Sequence, residues 1–280
     1  SVLPYYWRTH EINEPDQALM SIIATHLSDY KHLATALMWR AQFSAKKGDF
    51  ESAFDDIFVC YRFGSHLGNS TLLIGQLVGT NLYALSLYET RDLLAQYDLE
   101  EALLENVFDK FQRLISNSDY KITMDFERFL FYDEIQRVYS ADGLISGTMT
   151  FAGFKRYLLL RDLTSGTVSD KFDVSLYFFN AMFLQPGREE TLKTVDEVFD
   201  YYRQISEKSP AQLHAEHRSH SEIEEMTERN FFLKTLTPAY FRVHQFGYKA
   251  KTEAGATLAV IALVRYKKQF GQYPENLQQL

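Results

Sequence analysis

The sequence predicts an all-α fold, and three observations lead there. Glycine and proline are scarce, 13 and 6 in 280 residues, too few for the many tight turns of an all-β chain. Apolar residues recur three and four positions apart along most of the chain, which is the period of a helix buried on one face. The segment from Pro238 to Phe270 has no internal proline, opens on a proline and is followed by Gly271, the start and stop chemistry of one long helix. With 46% hydrophobic residues, among them 22 Phe and 18 Tyr, there is material for a sizeable core.

Taken in order, residues 1–15 read as an irregular lead-in anchored by Tyr5, Tyr6 and Trp7. A helix is expected from Asp16 to about Ser28, and a second from Lys31 to Lys47, whose Ala34, Leu37, Met38, Ala41 and Ala45 share one face. Gly48 stands where a left-handed residue ends a helix, and Asp49 where a side chain caps the next. That next helix runs from Phe50 to Phe63, with Glu51, Asp55 and Asp56 early and Arg62 late, the polarity the helix dipole favours. Further helices are expected at Ser70 to Gln96, Leu99–Ile115, Ile122–Tyr139 and around Phe151–Leu160. The Gly/Ser/Thr-rich stretches 141–150 and 163–170 read as loops. Phe172–Leu184 is aromatic and reads as a helix broken by Pro186-Gly187. Thr191–Ser206 is amphipathic. Ser209-Pro210 opens a polar stretch to about Lys234, and Thr237-Pro238 opens the last helix, a rod of roughly 48 Å. The chain is expected to be a single helical domain over 1–280, with 141–170 as the place for any subdivision.

The run Ala45-Lys-Lys-Gly-Asp-Phe-Glu-Ser-Ala53-Phe resembles the turn between the two helices of a tetratricopeptide repeat, in which a small residue ends one helix and a small residue on the next lets the two touch. The match covers one repeat of about 34 residues. An ordinary antiparallel helical hairpin predicts nearly the same contacts. The C-terminal run from Thr257 through Tyr266, Gly271-Gln-Tyr273-Pro274 and Leu277 is similar to a tail motif of an uncharacterised bacterial family of helical proteins. That family often pairs the tail with a hairpin like 31–63, followed by a segment like Leu72-Leu-Ile-Gly-Gln-Leu-Val78. A similar ending follows the long helix of type II secretion pseudopilins, which carry that helix at the N-terminus instead. The resemblance implies an irregular tetratricopeptide-like array of antiparallel hairpins ending in a long C-terminal helix, and it brings no activity with it.

The formal net charge is −8, which repels nucleic acid unless positive charge is concentrated. Seven Lys/Arg and one acidic residue, Glu253, lie between Lys234 and Lys268, so this stretch is +6 and the remainder −14. The long helix is then expected to dock on the acidic body, or else to present a landing strip to an anionic partner or lipid. From Phe63 to Tyr88 there is no Asp, Glu, Lys or Arg, and Gly75 and Gly79 stand four apart. His66, Asn69, Gln76, Thr80, Asn81 and Ser86 are too costly in lipid, so the segment reads as the central helix of a soluble bundle, its glycines admitting a close neighbour. The start at Ser1 and the end at Leu280 suggest a trimmed or processed chain, from which an upstream anchor or signal could have been removed.

Four features could carry chemistry. His214, His217 and His220 stand three apart, the spacing at which helical neighbours share a metal, in a stretch polar enough to be a solvated face instead. Asp125, Glu127, Asp133 and Glu134 crowd one aromatic-rich helix, with Arg128 and Arg137 as expected ion-pair partners and Glu134–Arg137 at i,i+3. Cys60, the single cysteine, allows no internal disulfide and reads as a buried, inert thiol. No glycine-rich phosphate loop and no Gly-x-Ser-x-Gly elbow is present. No catalytic residue and no cofactor is assigned. The expectation is a non-enzymatic helical scaffold that binds protein or peptide, with no nucleic acid and no membrane span. The alternatives are a metal- or carboxylate-dependent helical enzyme and a component of a secretion or cell-envelope assembly.

Overall fold

The structure, a computed structural model, describes residues 18–19, 26–118, 121–141, 147–165, 185–218, 221–236 and 238–279. Among these residues there are eleven α-helices and no strand. Four helices come first: α1 (His26–Lys46), α2 (Phe50–Gly68), α3 (Leu73–Gln96) and α4 (Glu101–Ser116). They are followed by α5 (Asp125–Val138), α6 (Phe151–Ser165) and α7 (Arg188–Ser206). Three short helices, α8 (Pro210–Ala215), α9 (Ser221–Thr227) and α10 (Phe231–Leu236), precede α11 (Pro238–Phe270). The fold is all-α, as the sequence predicts. The expected lead-in over 1–15 and the helix expected over Phe172–Leu184 lie outside the described residues.

The contacts gather into two compact units. Of the described residues, the first unit holds 26–122 and 246–279, and the second holds 123–245 with 18 and 19. The stretch 141–170, where a subdivision was expected, falls inside the second unit.

In the first unit, α1 is described from His26, and most of the helix expected over Asp16–Ser28 lies outside the described residues. The chain around Ser28–Lys31, where the sequence suggests a break, is continuous helix because it contains no breaker and because Leu27 and Tyr30 pack on the core. At the other end Gly48 takes φ 81. Its N–H donates to Ala45 O at 2.9 Å and that of Asp49 to Ser44 O at 3.0 Å, closing the helix. Asp49 Oδ1 then accepts from Ser52 N–H at 3.1 Å and caps α2. Ala34, Met38, Ala41 and Ala45 of α1 are buried, as is Ala53 of α2, so this hairpin closes on small side chains.

The next contact is tighter. A Cβ built on Gly79 of α3 would lie 2.4 Å from Gly68 N and 2.7 Å from Gly64 O of α2. The two helices therefore meet backbone to backbone, and no side chain fits at that crossing. The same contact explains why α2 continues to Gly68 rather than stopping at Phe63: Gly64 and Gly68 are held in helix by the neighbour they admit. Around the crossing, the rings of Tyr61 and Tyr83 meet at a tilt with centroids 5.1 Å apart, and Phe58 meets Phe111 of α4 at 4.9 Å. Cys60 is buried beside them, 3.8 Å from Leu82 O, and burial pushes its thiol up to about 12. Three hydroxyls of α3 are satisfied on their own helix. Thr80, Ser86 and Thr90 donate to Gln76 O, Tyr83 O and Ser86 O at 2.9, 2.8 and 2.9 Å. No described helix is long and apolar enough to cross a membrane.

Within the same unit, α11 buries Ala254, Thr257 and Ile261. Arg91 donates to Thr257 Oγ1 at 2.6 Å. Lys268 reaches Asp98 at 2.6 Å, and Arg265 reaches Glu105 at 3.7 Å while lying over the Phe108 ring. Part of the basic helix is thus neutralised by the chain's own acidic residues. Gly271, at φ 76, ends the helix with its N–H on Lys267 O.

The second unit is built on α5 against α7, where Phe131 and Phe199 meet edge to face at 5.3 Å. The chain between α5 and α6 doubles back through an antiparallel bridge of Tyr139 with Met149. A buried polar frame ties this turn to α7: Tyr139 OH lies 3.2 Å from Thr191 Oγ1, which accepts from Asn230 Nδ2 at 2.8 Å. Residues 163–165, expected in a loop, belong to α6. Ser209 and Gln212 form a reciprocal capping box on α8, with Pro210 at the first helical position, as the sequence indicates.

The glycine crossing and the hairpin turn make separable predictions. Gly48→Ala meets nothing within 4 Å but is strained at φ 81, so it should cost about 1 kcal/mol. Gly79→Ala forces two backbones apart and should cost at least about 2 kcal/mol. Urea denaturation of the two variants checks the order; equal midpoints would show that the helices can slide apart without loss.

Candidate functional site

The histidines expected as weak metal candidates do not share a helix. α8 ends at Ala215, Glu216 is its cap, and His217 turns away with φ 55, so helical spacing no longer relates His214 to His217. Both side chains are exposed, and Glu216 is paired with Lys208. His220 lies outside the described residues. Among the described residues no three His, Cys, Asp or Glu side chains gather as metal ligands do.

Three of the four acidic side chains of α5, Asp125, Asp133 and Glu134, are claimed by arginines, and Glu127 is buried beside them. Glu134, fully buried, is gripped by both arms of Arg156 of α6, at 2.5 and 2.6 Å. Arg137 takes Asp133 at 3.0 Å, not Glu134 as its i,i+3 spacing suggests. Burial works against ionisation of Asp133, but Arg137 and the Leu19 N–H, 2.8 Å away, hold its carboxyl below the usual range. Arg128 bonds Asp196 and Asp200 of α7, with Tyr132 on the same Asp196 oxygen, and Arg203 reaches Asp125 at 3.2 Å. Each pair joins two elements or clamps one, which is how a structural ion network is arranged.

One buried carboxylate is different. Glu89 of α3 is 2% exposed. Its Oε2 accepts from Gln42 Nε2 of α1 at 3.2 Å, while its Oε1 has no hydrogen-bond partner. Burial pushes its pKa up, the Gln42 bond opposes the rise, and the nearby Asp92 adds to it.

Gln42 leads to the solvent face of α1. Trp39, one turn before it, is 71% exposed, and Phe43, one turn beyond Trp39, is 59% exposed. At 3.6 residues per turn these two lie roughly 130° and 170° around the helix from the buried Ala stripe. Lys47 sets its ammonium 4.1 Å from the Phe43 ring centroid. Arg40, between the aromatics, crosses to α2 and forks onto the buried Asp56 at 2.7 and 2.5 Å. Leu33 continues the row, 53% exposed. This row was not apparent from the sequence, because the periodicity that places the alanines inside says nothing of large side chains on the opposite face. Charting the same helix for aromatics outside the stripe would have found it.

Comparison with protein-family models, with curated proteins and with solved structures gives no match.

The orphaned oxygen of Glu89 yields a pH test. Its pKa is higher in the fold than in the unfolded chain, so the folded state binds the proton more tightly. Stability from this group is therefore fullest below the unfolded value, roughly 4.3, and is lost as pH rises through the folded value. Glu89→Gln, which keeps an acceptor for Gln42, should be more stable than the parent at neutral pH by about 1 kcal/mol. The difference should close as pH approaches about 4. Urea midpoints across that range check it; a variant less stable at neutral pH would mean that the charge is compensated.

Proposed function

We propose that this chain is a non-enzymatic helical scaffold, an irregular tetratricopeptide-like array that docks a protein or peptide partner on the solvent face of α1. The observation that carries this reading is Trp39, 71% exposed, with Phe43 one turn away. Tryptophan is among the residues most enriched at the energetic centres of interfaces, and a row of large apolar side chains held in water on a rigid helix marks an interaction surface. The enzyme reading has less to support it, since Asp125, Asp133 and Glu134 of α5 are held by arginines. A second reading, a component of a secretion or cell-envelope assembly, draws on the tail, where Phe270, Tyr273 and Leu277 are all exposed beyond the basic end of α11.

A photo-crosslinking residue placed at position 39 tests the proposal in the cells that make the protein. It should give a discrete adduct with another protein, and the same residue at Gln112, exposed on α4, should not. Identical products from both positions, or none from position 39, would sink the reading. Trp39→Ala and Phe43→Ala should meanwhile leave the denaturation midpoint within about 0.5 kcal/mol of the parent, because neither side chain belongs to the core.

A further inference from the structure

The solvent face of α1 is as distinctive in charge as in shape. On the helix and the turn after it there are two acidic residues, Asp29 and Asp49, against Lys31, Arg40, Lys46 and Lys47, and Asp49 is spent on capping α2. Arg40 is committed to Asp56. Lys31 and Lys46 have no carboxylate within ion-pair reach among the described residues, and Lys47 rests on an aromatic ring rather than an anion. Lys46 and Lys47 therefore stand beside the exposed aromatic row with no carboxylate among the described residues to neutralise them. Leu33, Ala36, Trp39 and Phe43 follow one another at steps of three and four residues. This is the ridge along which a second helix lies.

We propose that α1 receives an acidic amphipathic helix of a partner protein, whose apolar face packs on Leu33, Trp39 and Phe43 while its carboxylates meet Lys46 and Lys47. This rests on the reading of α1 as the partner-binding face and adds the chemistry of the partner. Charge selects it against the other occupants. A chain of net charge −8 is repelled by an anionic bilayer. A second copy pairing α1 with α1 about a two-fold axis sets lysines against lysines. A single acidic helix places carboxylates directly against the cations of α1.

The test uses the full chain carrying Trp7→Phe, which leaves Trp39 as the sole tryptophan and so as the reporter. The probes are a synthetic helical peptide with Leu at three- and four-residue steps flanked by Glu, the same peptide with Lys for every Glu, and phosphatidylcholine–phosphatidylserine vesicles. The Glu peptide should shift Trp39 emission to the blue and bind at least about tenfold more tightly than the Lys peptide, with the preference fading in high salt. Lys46→Gln with Lys47→Gln should bring the two peptides close to equal affinity, and Lys46→Glu with Lys47→Glu should reverse their order. Equal binding of both peptides to the parent overturns the acidic partner and leaves α1 as a docking face. A blue shift with vesicles alone assigns the face to lipid, and a blue shift that grows with protein concentration alone assigns it to self-association; either overturns the proposal. If neither peptide binds while position 39 still crosslinks to a protein, the partner has other chemistry and only this inference fails. If neither peptide binds and no crosslink forms, the docking reading falls with it.

Discussion

The first unit depends on a place where there are no side chains. Gly64 and Gly68 of α2 face Gly79 of α3 so closely that a single methyl group on Gly79 would collide with backbone atoms. Glycine is ordinarily a poor helix residue, because it surrenders the most conformational freedom on folding. Here that cost is offset by the contacts its absence of bulk permits. Once the two backbones meet, the large side chains above and below them, Phe58, Tyr61, Leu82 and Tyr83, are brought to packing distance, and Phe111 of α4 closes over them. The lack of charge in α3 from Leu73 to Tyr88 follows from the same constraint. A helix enclosed this tightly holds hydroxyls only if they bond to its own carbonyls, which Thr80, Ser86 and Thr90 do.

Local chemistry was legible in the sequence and long-range chemistry was not. Gly48 with Asp49, Ser209 with Pro210, and Pro238 with Gly271 each fix a helix boundary through atoms a few residues apart, and the structure places those boundaries as the residues imply. The end of α2 was misplaced because it is set by a helix that has not yet appeared in the chain. The pairing of Glu134 was likewise hidden: Arg137 is the near partner by spacing, but Arg156 lies across on α6 and offers two parallel hydrogen bonds where a neighbour on the same helix offers one. Spacing finds neighbours on one helix and cannot see between helices.

The candidate site shows the same limit from the other side. The alanine stripe of α1 was evident, and it is what lets α1 lie close to α2. Its narrowness also leaves most of the helix circumference to solvent, and that is where Trp39 and Phe43 stand. Composition alone cannot tell an aromatic that closes a core from one that faces water; only the position of the neighbouring helices decides it. Glu89 is a further case, since a glutamate on a mid-chain helix reads as a surface residue until α1 covers it and leaves it only Gln42 as a partner.

The lone thiol carries a consequence for kinetics. Cys60 sits beneath the crossing of α2 and α3, without charge and out of reach of reagent while the two helices stay together. Its modification then waits on the separation of those helices, so the rate at which a small thiol reagent is consumed reports how often the crossing opens. The chain carries its own clock for that motion, with no label added, and because there is only one cysteine the signal has a single source.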